Sequence, residues 1–167
     1  TGKLSVLGAV ISGAGMCMEA NIVSSFFITF MGSLGFTLSS PEVPMPEGTE
    51  GFLLSFIRVV VVAAMAEELS LRGYVMGNLR KYGDVFAIGV SAVLFAIMHG
   101  NLIQSPFALI AGFAIGYFTV KTGTLWTAVL IHGANNFISL ALSYIMVAAG
   151  EETGTALTAL CIYALGT

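Results

Sequence analysis

Charge is what this sequence has least of. Six Lys and Arg and nine Asp and Glu make up 9% of the 167 residues, against roughly 25% in an ordinary soluble domain. So few charged side chains cannot clothe a soluble globule of this length. The six basic residues are scattered and form no patch, which excludes an electrostatic nucleic-acid binder. Proline is scarce too: three of the four stand together between residues 41 and 46. The two cysteines, Cys17 and Cys161, lie near opposite ends in apolar runs. They read as small buried hydrophobes, not as a disulfide. Strict apolar–polar alternation is missing, which excludes a transmembrane β-barrel. No internal repeat, soluble domain or cleavable signal peptide is expected from these residues.

What remains is hydrophobic. Apolar residues are 57% of the chain, the net charge is −3 and the mean hydropathy is +0.95. Composition therefore predicts an integral membrane protein. Runs such as VVVVAAMA and ALIAGFAIGYF are apolar on every face, as helices in lipid must be. The fold expected is an all-α polytopic transmembrane helical bundle of about six spans, one domain over residues 1–167. Because the chain opens on Thr1 and closes on an apolar run, it is expected to be truncated at both ends.

Charges and turn residues divide the spans. Leu4 to Leu38 is about 35 residues long, too long for one straight crossing of about 20. It is either one tilted or broken helix or two, with Gly13, Gly15, Gly32 and Gly35 as places to bend. Ser39 to Glu50, rich in proline and acid, reads as an exposed loop. Further spans are expected at Phe52–Leu79, Val85–Met98, Ser105–Val120 and Leu125–Ala149, with an incomplete one at Thr155–Leu165. Pro106 suits a first helical turn, and a tight turn is expected over Lys121–Thr124. The basic loops at Arg80, Lys81 and Lys121 are expected on the cytoplasmic side, and the acidic loops opposite.

Ionisable groups at bilayer depth each need a reason, because burying one costs about 2.5–3.5 kcal/mol on insertion scales. Inside the predicted spans stand Glu19, Arg58, Glu67, Glu68, Arg72, His99 and His132. Glu68 and Arg72, four apart, share one helix face and form an ion pair. The pairing leaves Glu67 as the less neutralised carboxylate, suited to act as a general base for water. Helix rise places Glu68 roughly 18 Å from the basic loop ends, His99 roughly 22 Å, His132 roughly 12 Å and Asn136 roughly 18 Å. These depths lie in one band about 10 Å thick, within a hydrocarbon core of about 30 Å. Asn136 follows His132 by one turn, and such a pair can donate to a developing oxyanion. Asn135 is expected to point about 100° away from Asn136 into a packing hydrogen bond. Phe95, one turn before His99, is placed to wall a cavity. Gly112 and Gly116 suggest close helix packing.

These residues resemble a known family. Glu67-Glu68-Leu-Ser-Leu-Arg72 is similar to the EExxxR motif of the CAAX-protease and bacteriocin-processing (CPBP, or Abi) intramembrane peptidases. Phe95-Ala-Ile-Met-His99 resembles their FxxxH motif and His132-Gly-Ala-Asn-Asn136 their HxxxN motif. The resemblance covers about residues 52–140 and implies a helical membrane peptidase acting on a membrane-associated, possibly prenylated, protein or peptide. It implies that Glu67 and His99 activate a water, that His132 and Asn136 stabilise the oxyanion, and that Glu68 and Arg72 complete or brace the site. Zinc held by Glu67, His99 and His132 is the alternative to a metal-free site. No HExxH is present, and the shared face of His132 and Asn136 favours oxyanion binding. Rival readings are a non-catalytic immunity or scaffold protein and a proton-coupled transporter, the latter usually marked by a repeat or paired broken helices.

Overall fold

The computed structural model describes residues 4–39, 48–149, 155–157 and 159–160. Every regular element among them is helical. Helix α1 is Val6–Ser33, a single helix of 28 residues. The side chain of Ser5 caps it, accepting from the Gly8 N–H at 3.1 Å. Gly35, at φ 86°, ends it. Phe36 N–H donates to the Met31 carbonyl and Gly35 N–H to that of Gly32, at 3.1 and 3.0 Å. That is a Schellman closure, which needs a residue free to be left-handed. The other three glycines do not break the helix, so the long first stretch holds one unbroken helix.

Residues 48–82 form one helical run, α2, of varying pitch. Phe56–Ala63 and Leu69–Met76 are π-helical, and the short α-helical segment Ala64–Glu68 lies between them. Wider π turns are rare and gather at functional sites. The run tightens at Arg80–Tyr82 and stops at Gly83, φ 114°. Helix α2 already begins at Gly48, so the expected loop over Ser39–Glu50 is too long by three residues at its end. Residues 40–47, and the acidic loop at 150–154, lie outside the described residues, as does Cys161.

Helix α3 is Asp84–Met98, α4 is Ser105–Thr122 and α5 is Leu125–Ala149. Pro106 stands in the first turn of α4. The turn after α4 comes later than expected: the helix continues through Lys121 to Thr122 and yields at Gly123, φ 73°. Residues 155–157 and 159–160 are helical, and the rest of the expected last span lies outside the described residues.

Helix α4 is the centre of the bundle, packed against α1, α3 and α5. Helix α5 also packs against α1 and against the part of α2 that carries the glutamates. The buried core is built of small residues, Ala9, Cys17, Ala111 and Ala128, with Ile115, Phe118 and Ile131 among them. The outside is apolar: Leu7, Phe26, Leu54, Val85, Ile97 and Trp126 are all exposed. Glu68, Arg72 and His132 are inside. That inversion of the soluble pattern suits lipid as solvent. By length and composition two stretches can cross a membrane, Val6–Ser33 and Leu125–Ala148. The 15 residues of α3 are apolar but reach only about 22 Å. Of the roughly six spans expected, the described residues contain five long helical runs, two of them long and apolar enough to cross a membrane.

Close approach of α3 and α4 depends on two glycines. A Cβ on Gly112 would lie 2.9 Å from the Ala92 Cα, and one on Gly116 would lie 3.1 Å from Ile88. Backbone cannot yield as a side-chain tip can. Gly112→Val is therefore expected to lower stability by about 1–3 kcal/mol, read as a lower Tm of the purified protein in detergent. Gly89→Ala, whose Cβ would meet nothing closer than Phe113 at 3.9 Å, is expected to leave the Tm unchanged.

Candidate active site

The site is organised around one carboxylate. Glu68 and Arg72 side chains are completely buried, and Arg72 Nη1 donates to Glu68 Oε1 at 2.9 Å. The same oxygen accepts from His132 Nδ1 at 2.7 Å. Arg72 Nη2 donates to the Gly112 carbonyl on α4 at 3.2 Å, a reach opened by the missing side chain at Gly112. The guanidinium also sits 4.6 Å over the Phe95 ring. One ion pair on α2 therefore touches α3, α4 and α5. With Glu68 paired to Arg72, its carboxylate accepts, so Nδ1 of His132 carries the proton and Nε2 is the nitrogen left for other partners.

His99 is the residue on which α3 ends. Its Nδ1 stands 2.8 Å from the Phe95 carbonyl oxygen, which can only accept, so Nδ1–H donates and Nε2 of the neutral ring is an acceptor. Phe95 lies edge-to-face with both histidines, its centroid 4.8 Å from that of His99 and 5.5 Å from that of His132. Its ring thus spaces the histidines and roofs Arg72.

Between them is a cavity of about 30 Å³ lined by Cys17, Phe95, His99, His132, Asn135 and Asn136, with apolar side chains of α4. A water needs about 10–15 Å³ of such space and at least two polar partners. The cavity is water-sized and too small for a peptide. Asn136 Nδ2 donates to the Val59 carbonyl in the first π segment at 3.0 Å. Where that segment meets the following α turn, the Ala64 N–H bonds to Val61 rather than five residues back to Val59.

Glu67 stands apart from this group. It is half-buried, and it does not line the cavity. Glu19 and Arg58 are exposed. Among the described residues no three His, Cys, Asp or Glu side chains come together closely enough to hold a metal ion. The set Glu67, His99 and His132 is thus not assembled as a zinc site in this conformation.

A protein-family match covers residues 49–138, over half the chain, and its description is type II CAAX prenyl endopeptidase Rce1-like. The chain belongs to the type II CAAX prenyl endopeptidase Rce1-like family. No curated protein and no solved structure matches it. The match spans α2, α3, α4 and the first half of α5, and so every residue named above except Cys17 and Glu19. An endopeptidase of this family is membrane-embedded and acts on protein, which agrees with the apolar exterior and the buried polar centre.

Two residues escaped the sequence reading. Asn135, expected to point away, lines the cavity and is buried. Its spacing of three from His132 was the available signal, since i and i+3 share a helix face. Cys17 lines the cavity from α1, and nothing in its sequence surroundings marks it.

Arg72→Ala is expected to strand the Glu68 carboxylate in the bundle and to cost about 3–5 kcal/mol. The measurement is thermal unfolding in detergent, with a lower yield of folded protein from the membrane as a second sign.

Proposed function

We propose that this family member is an intramembrane endopeptidase that hydrolyses a peptide bond of a membrane-associated, CAAX-type protein with a glutamate-activated water. The observation that carries the reading is the cavity itself: a water-sized polar space between two histidines and two asparagines, inside a bundle whose exterior is apolar. A helical membrane protein has no structural need for such a space.

In the proposed reaction the water lies against His99 Nε2. Glu67 is the base, because Arg72 and His132 are both spent on Glu68. Glu67 and His99 together take one proton from the water as its oxygen attacks the carbonyl carbon. The oxyanion receives hydrogen bonds from His132 Nε2, when protonated there, and from the second N–H of Asn136 Nδ2. Glu68 balances the charge on His132. Collapse breaks the C–N bond, and the proton held by Glu67 and His99 passes to the leaving amine. No step is routed through a metal.

The cavity must open to admit a peptide, bringing Glu67 to the water. An apolar groove of about 530 Å³ runs beside it, lined by Phe56, Val60, Met65, Trp126, Val129 and Phe137. Its residues alternate along α5 with those of the site, so it is placed to hold an apolar or prenylated part of the substrate. The helical runs thread the bilayer about six times, with Arg80, Lys81 and Lys121 on the cytoplasmic side.

Glu67→Gln is expected to lower hydrolysis of a prenylated CAAX-type peptide by about 100-fold or more, with the Tm unchanged. Full activity of that variant in purified protein removes Glu67 from the mechanism.

A further inference from the structure

Asn135 is more than nine-tenths buried and lines the cavity, yet its Oδ1 has no hydrogen-bond partner within the protein. Leaving a buried acceptor unsatisfied costs about 1–3 kcal/mol, so the position is expensive unless a ligand meets it. The amide orientations are set by a chain of contacts. The Val59 carbonyl can only accept, so it takes the Nδ2 of Asn136 at 3.0 Å. Asn136 then turns its Oδ1 toward Asn135, whose Nδ2 donates to it over a long 3.4 Å. Asn135 is left with an acceptor and no donor to spare on that side. A flipped amide would set two oxygens against each other.

We infer that Asn135, whose Oδ1 is shut off from solvent in the closed cavity, holds the nucleophilic water by accepting one of its protons at Oδ1 once the cavity opens. This rests on the peptidase reading above. The other proton faces His99 Nε2 and the base, so both hydrogens are directed and an oxygen lone pair is left for the carbonyl carbon. Asn136 serves two ends at once: one Nδ2 proton anchors the amide chain to Val59, and the other remains for the oxyanion. The Val59 carbonyl thereby sets which atom Asn135 offers.

The test compares replacements that rank oppositely in stability and in water binding, in purified full-length protein. The probe is a farnesylated CAAX-type peptide with a quenched fluorophore on its last three residues. Asn135→Leu keeps the volume and removes the orphaned acceptor, so its Tm is expected to equal or exceed that of the parent. Its kcat is expected to fall about 100-fold, with KM changed by less than about twofold, as when one preorganised polar contact is removed. Asn135→Ser keeps an oxygen but opens a void, so it should melt lower and yet retain at least about a tenth of the parent kcat. Activities that follow the Tm ranking, with Leu at or above Ser, overturn the inference. If the Leu variant does not fold, Ser is compared with Asn135→Ala, and equal kcat values overturn it. A parent protein that cleaves no such peptide overturns the peptidase reading, and this inference with it.

Discussion

A buried ion pair sets the terms for the rest of the molecule. Glu68 and Arg72 lie on one helix with no exposure to solvent, and neither can be left alone there. Each donor of Arg72 that finds a partner finds it on a different element: the carboxylate on its own helix, a carbonyl on α4 and an aromatic face on α3. Glu68 in turn holds His132 of α5. Four helices are thereby held in register by a charge that would be prohibitive unpaired. The same contacts fix the side chains that the proposed chemistry needs, so brace and candidate site are one construction.

Small residues make the construction possible. Gly112 and Gly116 bring α3 against α4 until backbone meets side chain, and Gly13 does the same for α1 against Ile131. In lipid there is little hydrophobic gain from joining two apolar helices, so close van der Waals contact and internal hydrogen bonds carry the association. With no side chain at Gly112 in the way, its carbonyl also accepts from Arg72. Packing and polar satisfaction are here the same event.

The proposed hydrolysis asks for little space. About 30 Å³ between the two histidines and two asparagines is room for one water. Both histidine tautomers follow from fixed acceptors, the Phe95 carbonyl and the Glu68 carboxylate. The apolar groove on the neighbouring face of α5 is more than ten times larger and offers almost no polar contact. The proposed substrate groove and the polar cavity lie on neighbouring faces of one helix.

Much of this was legible in the residues. Low charge and apolar runs determined a helical membrane protein, because lipid leaves the backbone no other way to satisfy its polar groups. The spacing of Glu68 and Arg72 determined their pairing, because four residues return the chain to one helix face. Family membership was legible in three short motifs. Helix ends were less so: a glycine at φ 73° placed the last turn of α4, and the π segments of α2 left no periodicity to read. What only the tertiary structure decided was which side chains share the cavity. Asn135 enters it, Cys17 joins from a distant helix and Glu67 stands outside. Sequence spacing sets angles around a single helix, whereas a cavity is set by how helices rotate against one another. That rotation is chosen by the buried ion pair and the glycine contacts together.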